Sequence, residues 1–513
     1  MSLAASLLRR ALDLLLVRPR RRRRHWLSYL VLALGLATIT SWQLDIADEP
    51  ETIDATYRVT ASKGVHFEPR FFFFQYHLGL YPLMSEVPAR KDTKNEAERI
   101  LRIEPEKLYQ ELSLTFRSGD HGRVFLFYVD KWLGGDARTP SFVPAHKWAF
   151  ILGLDALFVG AWLADWTLLG VFLVAFIGSN PMQLHAAYVQ ENVFSWGITA
   201  LVVMLGLHLP LIAERPTDRR RRATMIVLPI VAGAFIVLVR TFRSEPAPLL
   251  LSAALTYLLA RHRPLVWRAA AVGLLGLSFA VGSVAYQKAL VAKIEHTKKV
   301  LRDVGARPYE GPIIPHHEFW APVWCGLGDF DTKYGYEWRD QAANKYALKV
   351  LEERAGHKLD LDPNTWFQKE TVGGDPRYHV VFAETPGYYD ALREKVLGDI
   401  GRDPAWYLDI LWSRTKRIFT ETTPITLAVR DLKPTGNASL VSWLTIPLLA
   451  FFAVTRRRAY VTLLLFPLPL SIPALIVYSG GGLTYYGCHH LVTAAVLGVL
   501  VLDGVRARLG RRS

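Results

Sequence analysis

The chain has 513 residues, of which 51% are hydrophobic and 12% aromatic, and its formal net charge is +15. The apolar residues are gathered into long runs, which excludes an ordinary soluble protein of several domains. The basic excess abuts those runs, in "RPRRRRRH" (18–25), "RPTDRRRR" (215–222), "RHRP" (261–264), "RRR" (456–458) and "RARLGRR" (506–512). It therefore reads as the positive-inside signature of a membrane protein, and nucleic acid is not expected as a partner.

In chain order, "MSLAASLLRRALDLLLV" (1–17) is apolar before it is basic, the reverse of a cleaved signal, and reads as an amphipathic helix on the cytoplasmic surface. With every arginine cluster held in the cytoplasm, the path across the membrane follows. A first crossing at about 26–43 leads outward, and 45–145 lies outside. The run 193–213 returns to the cytoplasm, so 148–178 contributes an even number of crossings and is expected to be a hairpin turning at Asp165. Further crossings are expected at 224–240, 246–260, 266–286, 439–455, 459–478 and 489–504. Between them, 287–437 is mostly polar and too long for a connector. Its amphipathic pieces "YYDALREKVLGDI" (388–400) and "PAWYLDILWSRTKRI" (404–418) predict helices, and parity places them outside.

The expected fold is thus an all-α polytopic membrane protein of about ten transmembrane helices, both termini cytoplasmic, with a small, mostly α extracytoplasmic domain. Its parts are a basic N-terminus (1–25), a membrane module with its outer loop (26–286), the outer domain (287–437) and the last helices with a basic tail (438–513). Usage rich in Arg, Ala and Leu suggests a bacterium, hence an inner membrane.

Polar residues sorted by side fall unevenly. The inner loops hold little but arginine and lysine. The outer mouths hold "WQLDIADEPETIDATYR" (42–58), "SNPMQLHAAYVQEN" (179–192), "RTFRSEP" (240–246) and "SGGGLTYYGCHH" (479–490). A carboxylate beside apolar surface, as at Asp45, Asp48 or Glu49, can act as a general base, though a solvated juxtamembrane loop is the plain reading of any one of them. Arg240 and Arg243 stand at an outer helix end, where arginine is disfavoured unless it meets a phosphate or snorkels beside Glu245. Glu191 opens a helix and suits the helix dipole as well as a ligand. The pairs His489–His490 and His316–His317 suit phosphate or metal. The tract "HHEFWAPVWCGLGDFDTKYGYEWRD" (316–340), with Trp320 and Trp324, mixes aromatic and polar groups as sugar sites do, and as the core of a small domain also does. Cys325 and Cys488 both fall outside, where a disulfide is permitted but not demanded by spacing. No phosphate-binding loop or dinucleotide fingerprint occurs, so a nucleotide-driven pump is not expected.

In order and content these features resemble the GT-C class of polytopic glycosyltransferases, of the dolichyl-phosphate-mannose mannosyltransferase-like (family 39-like) kind. The resemblance rests on Asp48–Glu49 after the first helix, "SKGVHFEPRFFFFQYHLGLYPL" (62–83), "NPMQLHAAYVQENVFSW" (180–196) and "VRTFRSEPAPLLL" (239–251), and covers about the N-terminal half. It implies transfer of a sugar from a polyprenyl-phosphate donor to an acceptor hydroxyl of a glycan, lipid or protein, with inversion. Carried over, Asp48 is the base with Asp45 and Glu49 as neighbours or substitutes. Arg240 and Arg243, with His489 and His490, bind the donor phosphate. Glu191, Tyr188, His316, His317, Trp320 and Trp324 face the acceptor or sugar. A divalent Mg or Mn is the one cofactor the class admits, and its ligands are unknown. The rival readings are a lipid or glycolipid flippase and a non-catalytic envelope-assembly protein. A flippase should carry ionisable residues near the bilayer midplane, for which Asp155 and Asp165 are the candidates.

Overall fold

A backbone cannot leave its amides unpaired in hydrocarbon, so apolar runs of this length form helices whatever their intrinsic propensity. The computed structural model describes residues 26–48, 83–84, 115–116, 122–134, 143–180, 195–213, 220–242, 246–261, 263–303, 319–364, 367–372, 375–381, 385–421, 425–426, 435–436, 438–477 and 488–511. The described chain is overwhelmingly helical. The exceptions are three short antiparallel strand pairs, the longest being Phe367–Val372 with Asp375–Val381.

The membrane part contains α1 (Trp26–Asp48), α2 (Arg123–Trp132), α3 (Val143–Leu163), α4 (Thr167–Gly178), α5 (Ser195–Ile212), α6 (Arg220–Phe242), α7 (Leu249–Leu259) and α8 (Leu265–Asp303). Among the described residues, six helical stretches are long and apolar enough to cross a bilayer: Trp26–Ile46, Pro144–Leu163, Thr224–Phe242, Leu265–Val300, Arg458–Ile476 and His489–Arg508. This is the pattern of a multi-pass membrane protein. Four shorter apolar helices, Thr167–Gly178, Trp196–Ile212, Leu249–Leu259 and Ser439–Val454, pack among them.

Two packing devices hold this bundle. α1 exposes Leu27, Leu30, Val31 and Leu34 and buries Ile39, Gln43 and Ile46, a stripe at helical spacing turned to the bundle. α3 and α5 meet through glycine. A Cβ at Gly160 would stand 2.0 Å from the Gly206 carbonyl oxygen, and one at Gly206 would stand 2.7 Å from that of Ala156. With no hydrophobic drive between helices in lipid, such close backbone approach supplies the attraction.

Asp165 turns the chain between α3 and α4, as expected. Its φ is 58°, and Trp166 N–H reaches back to the Ala161 carbonyl at 2.8 Å, a left-handed helix stop. Arg456 repeats the device (φ 56°, Arg457 N–H to Phe452 carbonyl, 2.8 Å). Stacking of Trp166 on Tyr460 and of Tyr460 on Phe452 puts both stops at one end of the bundle, the arginine-rich end.

α8 is the longest element. Its 39 residues rise about 58 Å, nearly twice the roughly 30 Å of a hydrocarbon core. It runs on to Asp303, beyond the crossing expected at 266–286, and a second core follows it in sequence.

That second core belongs to α9 (Trp320–Leu327), α10 (Asp340–Ala355), α11 (Tyr388–Arg402) and α12 (Pro404–Thr420). It buries Val323, Trp324, Leu327, Tyr336, Leu392, Val396 and Ile410. α10 stops at Gly356, whose φ of 72° is easiest for a residue without Cβ. Asp403 ends α11 and caps α12, accepting from Trp406 N–H at 3.1 Å, with Pro404 at the first helical position. The helices expected at 388–400 and 404–418 are therefore α11 and α12. The chain closes with α13 (Ala438–Val454), α14 (Arg458–Leu465), a 3-10 turn, α15 (Ile472–Ile476) and α16 (His489–Arg511).

Arg414 ties the two cores together. Its side chain is fully buried, and its Nη1 donates to the carbonyls of Leu475 (3.1 Å) and Ile476 (3.0 Å), at the end of α15. Burial pulls its pKa down to about 10.

Candidate functional site

Among the described residues, two places combine accessible polar groups with shaped surroundings. The first is the end of the bundle opposite the arginine-rich loops. α1 reaches it with Asp45 exposed in its last turn and Asp48 as its final residue. One turn earlier, buried Gln43 donates to the Gly178 carbonyl at 2.9 Å, which fixes the end of α1 against the end of α4. The start of α3 meets the start of α5 where Trp196 Nε1 donates to His146 Nε2 at 2.7 Å. Trp196 in turn packs on Phe242 at the end of α6 (4.6 Å), and Gly122 N–H donates to the Thr241 carbonyl at 2.9 Å. The acidic end of α1 and the arginine-bearing end of α6 are thus brought to one side. Arg240 is half-buried there, its guanidinium 5.7 Å from the Phe279 ring centre.

His489 and His490 lie at the same end, buried at the start of α16. His489 Nε2 hydrogen-bonds Ser442 Oγ of α13, and its ring packs 5.1 Å from Phe419 of α12. Glu49, Tyr188, Glu191, Arg243, His316 and His317 lie outside the described residues.

The second place is a cleft of about 560 Å³ in the helical domain of α9–α12, lined by residues that include Trp324, Tyr334, Glu337, Arg339, Gln341, Lys345, Tyr346 and Lys395. Its wall is built on one carboxylate. Asp331 accepts N–H from Lys333 (2.9 Å), Tyr334 (3.0 Å) and Tyr336 (2.8 Å), and the Trp406 indole N–H at 3.1 Å. The turn so formed passes through Gly335, whose φ is 78°. Burial alone would raise the Asp331 pKa, but these four donors outweigh it and hold the carboxyl below the usual range.

Behind the turn, Lys395 stands among the rings of Tyr336 (4.9 Å), Tyr346 (5.4 Å), Trp324 (5.8 Å) and Tyr334 (5.9 Å), and pairs with Asp399 at 2.8 Å. Asp399 also accepts from the Tyr336 hydroxyl at 2.9 Å. Burial, then the Asp399 bond, pushes the Tyr336 phenol up, so it stays a neutral donor. Asp403 is paired with Lys333, which lowers its pKa.

Trp324, one of the tryptophans expected to meet sugar, lines this cleft but is itself almost fully buried in the core. Trp320 packs at the edge of the same core. Cys325 and Cys488 are free thiols and do not pair. Cys325 sits 3.4 Å from Asp340 Oδ1, and burial followed by that carboxylate pushes its pKa up to about 12. Among the described residues, no group of His, Cys, Asp or Glu is arranged to hold a metal ion.

No family model matches the chain, and neither a curated protein nor a solved structure matches it.

Proposed function

We propose that the protein is a ten-helix glycosyltransferase of the bacterial inner membrane, which moves a sugar from a polyprenyl-phosphate carrier to an acceptor hydroxyl on the extracytoplasmic side. The observation that carries this reading is the gathering of the acidic end of α1 and the arginine-bearing end of α6 at the bundle end opposite the basic loops. An aromatic and polar cleft in the adjoining domain supports it, since sugars are held by ring stacking and hydrogen bonds. The six long apolar helices support the multi-pass part of this reading, in which the four shorter ones also cross, both termini are cytoplasmic and the domain of α9–α12 lies outside.

In this reading the Asp48 carboxylate takes the proton of the acceptor hydroxyl as its oxygen attacks the anomeric carbon. The bond from that carbon to the carrier phosphate breaks, and the carrier leaves as an anion that Arg240 and Arg243 neutralise. Asp45 and Glu49 are the neighbours that would stand in for Asp48. The carrier already holds the activation energy, so no nucleotide is needed outside.

One observation favours a second reading, a lipid flippase. Asp155 lies midway along α3, half-buried, and accepts from Thr40 Oγ1 at 3.1 Å, and carboxylates within a membrane mark translocation paths in many carriers. Membranes holding wild type or Asp48→Asn, supplied with radiolabelled polyprenyl-phosphate sugars, separate the two. The expected result is transfer by wild type and a loss of at least about a hundredfold in the variant, the scale of a missing general base. Equal transfer by both, or carrier movement across the bilayer without transfer, would sink the transferase reading.

A further inference from the structure

We infer that the outer-domain cleft binds a saccharide that carries one negative charge, either a ring carboxylate or a phosphate. This rests on the transferase reading and adds to it the chemical class of the glycan held beside the membrane.

The argument is one of shape and then of charge. At about 560 Å³ the cleft is in the size range of small-molecule sites, roughly 300–1,000 Å³. Tyr334 and Tyr346 offer partly exposed rings, against which the C–H face of a sugar can lie. Three cationic side chains line the cleft and one acidic one does. Lys395 has its own counter-ion in Asp399, so it adds no net charge. Arg339 and Lys345 are exposed and form no ion pair among the described residues, and Glu337 is the one carboxylate in the described lining. Two cations against one carboxylate leave a surplus of one positive charge.

A neutral glycan would leave that surplus unused, whereas a carboxylate or phosphate monoester fits the planar fork of Arg339. Glu337 can then accept from ring hydroxyls, which an all-cationic wall could not do. The core of the domain supports the wall independently of the ligand, because Asp331 orders the 331–336 turn from beneath. The recognition charges themselves stand on the surface, free to be changed without disturbing the fold.

The test uses the full chain in lipid nanodiscs and ligand-observed NMR with three probes: a disaccharide ending in glucuronic acid, glucose 6-phosphate and neutral maltose. At least one anionic probe should bind about tenfold or more tighter than maltose, and whichever does so identifies carboxylate or phosphate as the charge. The double variant Arg339→Ala, Lys345→Ala should weaken that binding by about tenfold and abolish the preference over maltose, and added salt should weaken it in wild type. Binding of maltose as tight as both anions, no binding of any probe, or an unchanged double variant would overturn the inference. Sugar transfer by the same preparation is read separately, so a failed cleft and a failed transferase reading are told apart.

Discussion

The bundle and the α9–α12 domain, the outer domain of the proposed topology, are both helical, yet they are held by opposite means. Where α3 meets α5 at Gly160 and Gly206 the backbones themselves touch, and carbonyls of one helix lie against glycine of the other. The outer domain instead turns on three carboxylates, Asp331, Asp399 and Asp403, each satisfied by several donors from different elements. The difference follows from solvent. In lipid, apolar side chains gain nothing by leaving their surroundings, so fit decides; in water, a small core of aromatics still needs its loops pinned, and charge can do that at modest desolvation cost. Added volume should therefore harm the bundle, and lost charge should harm the domain.

The sharpest break is Gly160→Val. Its side chain would meet the Gly206 carbonyl well inside contact distance, and neither backbone can retreat without losing the rest of the interface. We expect a loss of about 3 kcal/mol or more, the upper end for overpacking, seen as little monodisperse protein after detergent extraction. The same substitution at Gly398, on the solvent face of α11 with open space around it, should cost about 1 kcal/mol or less. Equal damage at both sites would remove the contrast between the regions.

The junction tests the middle of the scale. Arg414→Ala leaves the Leu475 and Ile476 carbonyls without their donor, which should cost about 2 kcal/mol and speed amide exchange across α15. Arg414→Met, which fills the space with apolar atoms, should recover part of that loss, since a fully buried guanidinium is expensive to desolvate. If Met is as damaging as Ala, the hydrogen bonds and not the packing hold the junction.

Acid should separate the regions without mutation. The Asp331 carboxyl titrates below its unfolded value, so the folded state binds that proton less readily. Its contribution is fully present above the ordinary aspartate pKa of about 3.9 and is lost as pH falls through the lower folded value. Asp403 has the same sign. Tryptophan fluorescence from the outer domain should therefore change below about pH 4, while helical circular dichroism from the bundle persists. Asp331→Asn should cost about 2 kcal/mol at neutral pH and flatten this acid response.

How much of this was legible in the sequence divides along the same line. Hydropathy and arginine placement suffice for the apolar helices and the Asp165 turn, and amphipathic spacing for the helices that begin near 388 and 404, because each is a local signal. The extension of α8 to Asp303 was not read, since hydropathy fades near 286 and the apolar positions beyond it, Leu290, Ile294 and Leu301, are spaced among lysines and other polar residues. The short helix α2 was likewise submerged in what reads as an outer loop. In the outer domain, "HHEFWAPVWCGLGDFDTKYGYEWRD" advertises aromatic and polar content, but not which members face inward. Trp324 proves to be core while Arg339 and Lys345 are the exposed wall, and the choice is made by packing against α11, some fifty residues away. Asp331 could have been suspected from its place two residues after Asp329 and four before Gly335, a turn-forming pattern. The close approach of Gly160 to Gly206 could not, because nothing in either segment names the other.

The finest test of the comparison removes one oxygen. The Tyr336 hydroxyl donates to Asp399 at 2.9 Å inside the outer core, while Lys395 holds the same carboxylate at 2.8 Å. Tyr336→Phe keeps the ring and its stacking on Trp406 and deletes only the donor, leaving Asp399 with the cations Lys395 and Arg402. Since the carboxylate retains charged partners, the loss should be about 1 kcal/mol and no more. Asp399→Asn, by contrast, would leave Lys395 among four aromatic rings with no counter-ion, and should cost more than twice as much. Thermal unfolding of wild type and both variants, followed by tryptophan fluorescence, checks the order. If Tyr336→Phe proved the more harmful, the domain would be held by hydrogen-bonded packing of the kind found in the bundle, and charge would be incidental to it.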